Sequence, residues 1–119
     1  MELLDIVRTY VEAWSETDSV KREEMLFSVW DENGTYTDPM THVAGRGALV
    51  SYISGFQQQF PGARIELTSG VDTHHGKIRF TWRMVLADNS VYIEGLDFGE
   101  LAADGKLLAI VGFFGPCPD

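Results

Sequence analysis

The chain has 119 residues, enough for one domain with a single hydrophobic core, and we expect residues 1–119 to form that domain. Apolar residues make up 45% of the sequence, which excludes a disordered chain. Nine Lys and Arg residues against 18 Asp and Glu residues give a formal net charge of −9. This charge argues against nucleic acid and anionic membranes as partners, because their phosphates would be repelled.

Cysteine content and hydropathy narrow the expected cellular setting. Cys117 is the only cysteine, which excludes an internal disulfide framework and any multi-cysteine zinc site. No apolar stretch approaches the roughly 20 residues that span a bilayer. Residues 1–5 are acidic and helical in pattern, unlike a signal peptide. We therefore expect a cytoplasmic protein.

The first part of the chain is predicted to form two helices and a short extended segment. Apolar residues recur at helical spacing over residues 3–14. Residues 17–19 (Thr-Asp-Ser) offer N-cap oxygens for a second helix over residues 20–30. Residues 31–34 have turn chemistry, and residues 35–38 are predicted to be extended. A proline at position 39 biases the residue before it away from the α region.

A third helix and a set of strands complete the predicted elements. The helix is predicted to open at residues 45–47 (Gly-Arg-Gly) and to end at Phe60, before Pro-Gly. Alternating apolar and polar residues, separated by turn signals, then predict strands. The predicted strands cover residues 65–71, 78–86, 91–98 and 107–114.

Three helices followed by antiparallel strands predict an α+β architecture. We expect a cone-shaped α+β barrel, in which the three N-terminal helices pack on a curved, mostly antiparallel sheet and enclose a hydrophobic pocket. Three glycines in the strands, Gly95, Gly99 and Gly112, mark places where the sheet bends or where another group approaches its backbone.

Three ionisable side chains are predicted to point into this apolar interior. Tyr10 lies on the buried stripe of the first helix, Asp38 ends the extended segment, and Asp97 shares a strand face with Val91 and Ile93. A carboxylate facing an apolar space is costly unless it is paired, hydrogen-bonded or protonated. Taken alone, Tyr10 fits a core tyrosine and Asp38 fits a turn residue. Asp97 is harder to explain without a function.

Six short segments carry a resemblance to a known superfamily. They are Tyr10-Val11-Glu12-Ala13, Thr37-Asp38-Pro39, Gly45 with Leu49 at the start of the third predicted helix, Leu96-Asp97-Phe98, Asp104-Gly105-Lys106 and Phe113-Phe114-Gly115. With these segments the chain resembles the nuclear-transport-factor-two-like superfamily, in its SnoaL-like and ketosteroid isomerase branch. The resemblance covers nearly the whole chain and implies the cone-shaped fold.

The resemblance also implies a chemistry for the three ionisable residues. Asp38 would be the base that moves a proton next to a ketone, and Tyr10 with a protonated Asp97 would donate hydrogen bonds to the enolate oxygen. The substrate would be a small hydrophobic carbonyl compound, with no cofactor and no metal. Ketosteroid isomerases support their oxyanion tyrosine with a tyrosine in the third helix. The matching position here carries Ile53, and Tyr52 lies about 100° further around that helix.

Apolar residues of the helices and of the inward strand face are predicted to bind the substrate. Strand residues are included because alternation along the strands places their side chains on the same inward face as Asp97. The predicted substrate-binding residues are Trp14, Phe56, Phe60, Phe80, Trp82, Met84, Ile110 and Phe114.

Two other functions remain open at this stage. One is a non-catalytic domain that binds a hydrophobic ligand or dimerises. The other is an aldol catalyst like the polyketide cyclases, which use a His with an Asp. The strand position nearest to that His carries Arg83, and alternation along the strand predicts that its side chain points outward. The sequence alone therefore does not decide whether the chain is an enzyme.

The remaining histidines and the cysteine have simpler interpretations. His74 and His75 beside Asp72 favour a surface turn over a metal site, because adjacent strand residues point to opposite faces. His42 is expected to be exposed near the pocket mouth, where it could orient a substrate. Cys117 has no neighbouring base and is expected to be inert.

The outward face of the sheet predicts a homodimer. Polar and aromatic residues alternate with the buried ones there, and such a mixture suits a self-complementary two-fold interface. This face comprises Lys77, Arg79, Thr81, Arg83, Tyr92, Glu94, Phe98 and Glu100. Members of the superfamily commonly dimerise through the same face.

Overall fold

The computed structural model describes all 119 residues, which form three helices and seven strands. The helices are α1 (Leu3–Ala13), α2 (Ser19–Val29) and α3 (Arg46–Gln59). The strands are β1 (Trp30–Asp38), β2 (Thr41–Ala44), β3 (Arg64–Leu67), β4 (Asp72–His74), β5 (Lys77–Val85), β6 (Val91–Leu101) and β7 (Leu107–Phe114). The prediction of three helices is confirmed. No helix combines the length and the hydrophobicity that crossing a membrane requires.

The second helix begins where its capping residues predict. Asp18 Oδ1 accepts hydrogen bonds from the backbone N–H groups of Val20 and Lys21, at 3.0 and 3.2 Å. These are two of the donors that the first turn of a helix leaves without a partner. The predicted N-cap within residues 17–19 is therefore confirmed at Asp18.

Strand boundaries differ from the predictions in three places. Residues 31–34, predicted to be a turn, belong to β1, although the pairing of β1 with β7 shifts between Trp30 and Thr35. Strand β2 was not expected, and it forms a hairpin with β1 in which Asp38 pairs with Thr41. The predicted strand over residues 65–71 is shortened to β3, which ends at Leu67, and the short strand β4 that follows at residues 72–74 was not predicted. Short-range alternation did not show these pairings, because they are set by neighbouring strands.

The strands form one open sheet in the order β2-β1-β7-β6-β5-β3, and β4 also pairs with β5. Only the β1–β7 pair is parallel; the others are antiparallel. Because β2 and β3 do not pair with each other, the sheet is an open cone rather than a closed barrel. This arrangement confirms the predicted α+β class and sets β1, β7 and β6 side by side.

A buried arginine ties the three helices together on one side of the sheet. Arg22 is 3% exposed, and its guanidinium donates to Glu16 O, to Gln57 Oε1 and to Ser54 Oγ, at 2.7 to 2.8 Å. Gln57 Nε2 in turn donates to the backbone oxygens of Trp14 and Glu16. These oxygens follow the C-terminal end of α1, where the helix dipole favours positive charge. The contacts fix α3, which forms one wall of a cavity between the helices and the sheet.

Candidate functional site

A cavity of about 610 Å³ lies between the helices and the inward face of the sheet. Of its 19 lining residues, 14 are hydrophobic, so an apolar ligand would be desolvated with little cost. The lining includes Tyr10, Asp38 and Asp97, the three ionisable residues that the sequence pattern directs inward. Residues distant in the chain therefore meet in one space.

Sheet order explains how the two carboxyl groups come to face each other. Asp97 of β6 pairs with Gly112 of β7, and the parallel register of β1 with β7 continues to Asp38 beside the same glycine. A Cβ on Gly112 would lie 2.9 Å from Asp97 Oδ1 and 3.5 Å from Asp38 Cβ. Since neighbouring strands lie about 4.8 Å apart, the Cα atoms of the two aspartates lie about 10 Å apart. Gly112 leaves the space between them open.

Asp97 is buried and has one hydrogen-bond partner in the chain. Its Oδ1 accepts a hydrogen bond from Trp82 Nε1 at 2.9 Å, and the residue is 6% exposed. Burial raises the pKa of the Asp97 carboxyl to about 7, the hydrogen bond from Trp82 opposes this rise, and the nearby Asp38 adds to it. A carboxyl group with such a pKa can carry a proton near neutral pH and donate it to a ligand oxygen.

Both carboxyl oxygens of Asp38 accept hydrogen bonds from the chain. Tyr36 donates its hydroxyl proton to Asp38 Oδ2 at 2.6 Å, and the backbone N–H of Met40 donates to Oδ1 at 2.8 Å. Tyr36 was not predicted to be a site residue. The signal was present, because Tyr36 and Asp38 are two residues apart on one strand and so share a face.

Tyr10 faces the same cavity as a phenol that keeps its proton. It is 2% exposed, and its ring stacks on Trp30 at a centroid distance of 5.3 Å. Burial raises the pKa of Tyr10 well above its ordinary value, and the charge of Asp97 adds to this rise. Tyr36 behaves in the same way, since burial is also the largest cause of its raised pKa. Both phenols are hydrogen-bond donors rather than bases.

Six of the eight predicted substrate-binding residues line the cavity, and two do not. The six are Trp14, Phe56, Phe60, Trp82, Met84 and Phe114. Phe80 and Ile110 share the inward face but are fully packed in the core, at 2% and 0% exposure. Ile110 Cδ1 lies only 2.8 Å from where a Cβ on Gly99 would be, so it fills the space beside that glycine. Strand alternation predicted the correct face for Phe80 and Ile110. Their depth within the cone decides that they do not reach the cavity.

Two further tyrosines belong to the cavity wall. Tyr52 lies 6.0 Å from the Tyr36 ring, whereas Ile53, at the position that matches the isomerase tyrosine, is fully buried in the core. Tyr92 was predicted to face outward but lines the cavity and contacts Phe60, at a ring distance of 5.4 Å. The pairing of β5 with β6 is irregular next to Tyr92, and such a bulge redirects a side chain.

The other candidates lie outside the cavity lining. His42 is exposed, and its Nδ1 shares a hydrogen bond with the Thr37 hydroxyl at 2.7 Å. His74 and His75 are exposed with their Nδ1 atoms 3.2 Å apart, and no group of three or more His, Cys, Asp or Glu side chains is placed to hold a metal ion. Cys117 is exposed. Arg83 pairs with Glu66 at 2.8 Å on the outward face.

The chain matches a known domain family and several solved structures. The family model of the SnoaL-like domain matches residues 7–110. A protein of the SnoaL-like family from Agrobacterium tumefaciens strain C58, described provisionally as an isomerase, is 33% identical in sequence. The match covers 95% of this chain and 97% of that one, with a TM-score of 0.89. No curated protein matches the chain.

Two more distant structures share the fold. A protein of unknown function with a cystatin-like fold from Methylobium petroleophilum is 14% identical, with a TM-score of 0.78 over 98% of this chain and 78% of that one. A protein from Sinorhizobium meliloti, described provisionally as a polyketide cyclase, is 14% identical, with a TM-score of 0.72 over 94% and 99%. Since the family model spans most of the chain, the chain belongs to the SnoaL-like domain family, and its superfamily is the one that the sequence resembles.

Proposed function

We propose that this protein is an enzyme that moves a proton on a small, hydrophobic carbonyl compound. The observation that carries the proposal is Asp97, a buried carboxyl group with a pKa of about 7 that faces the same apolar cavity as Asp38. Two carboxyl groups in one cavity, of which one is suited to donate and the other to accept a proton, match the needs of acid–base chemistry. The provisional isomerase description of the Agrobacterium relative supports the same class of reaction.

In the proposed reaction, Asp38 accepts the proton from the carbon next to the carbonyl group. The electron pair of the broken C–H bond moves toward the carbonyl oxygen and forms an enolate. Tyr10 and protonated Asp97 donate hydrogen bonds to that oxygen, where negative charge develops. Asp38 then returns the proton at another carbon, so that the product is an isomer of the substrate. Tyr36 holds Asp38 Oδ2 in place throughout.

The two other functions have less support in the cavity. An aldol catalyst of the cyclase type would need a histidine, and the lining contains none. A domain that only binds a hydrophobic ligand would fit the apolar walls. It would not require a buried aspartate, which destabilises the fold unless it is protonated or paired.

The first prediction concerns Asp38. The Asp38→Asn variant should lower kcat for an enolisable ketone, such as a Δ5-3-ketone, by about 10²–10⁴-fold, because the amide cannot accept the proton. The conversion is followed by the ultraviolet absorbance of the conjugated product. Binding of a phenol, which mimics the enolate, should persist in this variant. The Asp72→Asn variant is the control, because Asp72 is exposed and pairs with Arg79 outside the cavity.

The outcome separates the enzyme from a binding domain. If the wild-type protein binds the phenol but converts no ketone of a broad panel, the proposal of catalysis is wrong. The domain then binds a ligand without transforming it. If Asp38→Asn retains full activity, another group is the base.

A further inference from the structure

The charge of the cavity lining is of one sign. Asp38 and Asp97 line the cavity, and no Lys, Arg or His side chain does. The ion pairs of the chain lie outside the lining. The buried Arg22 also lies outside it, where its guanidinium binds a backbone oxygen and two side-chain oxygens. Negative charge in an apolar space is costly unless a positive group balances it, and the chain supplies no such group here.

Asp97 offers a free carboxyl oxygen to a ligand. Trp82 Nε1 donates to its Oδ1 at 2.9 Å, whereas its Oδ2 accepts no hydrogen bond from the chain although the residue is only 6% exposed. The ionisable groups that face it are two phenols, Tyr10 and Tyr36, and the carboxyl group of Asp38. None of these groups can become positive. A buried carboxylate oxygen without a partner calls for a positive charge or a hydrogen-bond donor on a ligand.

Three aromatic side chains form a wall of the cavity next to Asp38. Trp14, Tyr36 and Tyr52 line the cavity, and we call them the aromatic wall. Their ring centroids lie 5.2 to 6.0 Å apart, and the rings are inclined to one another by 35° to 79°. The Tyr36 hydroxyl donates to Asp38 at 2.6 Å. Burial and then the charge of Asp38 raise the pKa of Tyr52. The aromatic wall therefore adjoins a carboxyl group.

Aromatic rings and carboxylates together select one kind of ligand. The face of an aromatic ring carries negative potential and attracts cations, most of all alkylated ammonium groups that are weakly hydrated. A metal ion fits poorly, because it needs several ligands and no group of three or more His, Cys, Asp or Glu side chains is placed to hold one. An anion would lose its hydration without gaining a positive partner.

We infer that the cavity is a binding site for an organic cation, whose alkylated ammonium group lies against the aromatic wall and whose charge Asp38 and Asp97 balance. A volume of about 610 Å³ leaves room for an apolar carbon skeleton beside the ammonium group. Ile65, Met84 and Ile93 line the cavity and would contact that skeleton. The inference goes beyond the proposed function and does not rest on it, because it concerns the charge of the ligand and not the movement of a proton.

The test compares two probes that differ by one atom. Choline carries a trimethylammonium group, and 3,3-dimethylbutan-1-ol has the same shape with an uncharged carbon in place of the nitrogen. At about pH 8 the wild type should bind choline at least about tenfold more tightly, because the aromatic wall and both carboxyl groups attract the charge. Binding is followed by the NMR signal of the Trp82 indole N–H, which also reports that the site is folded.

Three variants assign this preference to the cavity. Asp97→Asn keeps the shape of the side chain without its charge and should weaken choline binding by about tenfold. Tyr52→Leu removes a ring face but keeps an apolar side chain, so it should weaken choline by about three- to tenfold and leave the alcohol nearly unchanged. Asp72→Asn is the matched control, because Asp72 is an exposed carboxylate that pairs with Arg79 outside the lining. It should bind both probes as the wild type does.

The pH dependence gives a second readout. Burial raises the pKa of Asp97 to about 7, so this carboxyl group gains its charge as the pH passes through neutrality. The wild type should therefore bind choline about three- to tenfold more tightly at about pH 8 than at about pH 5.5. Asp97→Asn should lose this difference, and the alcohol should not show it.

Each outcome decides the inference. A preference for choline that Asp97→Asn and Tyr52→Leu reduce and Asp72→Asn keeps supports it. Equal binding of the two probes, tighter binding of the alcohol, or binding of neither overturns it. A preference that both cavity variants keep also overturns it, since the negative surface of the protein would then attract the cation. If the wild type converts an uncharged ketone but shows no preference for choline, the cation site is wrong while the proposed function stands.

Discussion

Burial controls the chemistry of Asp97 at the scale of a single residue. The carboxyl group lies in an apolar cavity where its charged form loses hydration, and the Trp82 indole supplies its one hydrogen bond. Its pKa of about 7 compares with an ordinary value of 3.8. The folded state therefore binds this proton more tightly than the unfolded chain does. The stability from this proton is fully present below the unfolded pKa and is lost as the pH rises through the folded pKa.

The second prediction follows from this difference. Between about pH 5 and about pH 8, the wild type should lose about 2 kcal/mol more of its free energy of unfolding than Asp97→Asn does. The amide keeps the shape of the side chain and can still accept from Trp82, but it does not titrate. Urea unfolding at the two pH values measures the difference. Asp72→Asn, which changes an exposed carboxylate, should keep the wild-type pH dependence. Equal pH dependence in wild type and Asp97→Asn would contradict the raised pKa.

At the scale of the elements, the pairing of β5 with β6 builds the surroundings of Asp97. Trp82 pairs with Gly95, and Phe80 pairs with Asp97, so the indole starts two residue pairs away, on the same face, from the carboxyl group that it binds. A Cβ on Gly95 would lie 2.4 Å from Trp82 Cζ2 and 2.6 Å from Phe113 O. The glycine therefore gives the indole room to lie across β6 and reach Asp97. The predicted close approach at this glycine is confirmed, and the approaching group is a tryptophan of the neighbouring strand.

The third prediction concerns Gly95→Ala. The added methyl group should displace the indole, destabilise the fold by about 1–3 kcal/mol and weaken the hydrogen bond to Asp97. Because that hydrogen bond lowers the pKa of Asp97, its loss should raise the pKa further. NMR titration of the Asp97 carboxyl carbon measures the shift, and urea unfolding measures the stability.

A neighbouring glycine provides the control for overpacking. Gly99→Ala also crowds the inward face of β6, since its Cβ would lie 2.8 Å from Ile110 Cδ1. It should destabilise the fold in a similar way without moving the indole of Trp82. An unchanged Asp97 pKa in Gly95→Ala would show that the indole does not depend on this glycine.

At the scale of the whole molecule, the outward face of the sheet is an exposed surface of mixed polarity. Its charged residues pair within the chain: Lys77 with Glu100 at 3.1 Å, and Arg83 with Glu66 at 2.8 Å. Exposed ion pairs of this kind add little to stability. Two aromatic side chains on the same face, Phe98 and Phe113, are 38% and 58% exposed. Such a mixed surface suits the pairing of two identical faces around a two-fold axis.

The fourth prediction is a homodimer through this face. The wild type should elute as a dimer in size-exclusion chromatography with light scattering, and Phe113→Glu should shift it to the monomer by placing like charges across the axis. Phe27→Glu is the matched control, because Phe27 is exposed on α2 beside Arg46 and Lys106. A monomeric wild type, or a Phe113→Glu variant that remains a dimer, would contradict the prediction.

Local sequence patterns determined the helices, the strand faces and the residues that bring ionisable groups into the interior. Period-two alternation placed Asp97 on the inward face, and the stripe of α1 placed Tyr10 there. These signals are local, because they depend only on the geometry of one helix or one strand. They also predicted the α+β class, since amphipathic helices must cover one face of a sheet.

Tertiary structure alone decided how these residues meet. The parallel pairing of β1 with β7 sets Asp38 and Asp97 on either side of Gly112, and no local pattern encodes which strands become neighbours. The irregular pairing beside Tyr92 turned that side chain into the cavity, against its alternation. Phe80 lies too deep in the cone to reach the cavity and is packed in the core. The physical reason is that alternation fixes a side chain's face, whereas register, bulges and curvature fix its position on that face.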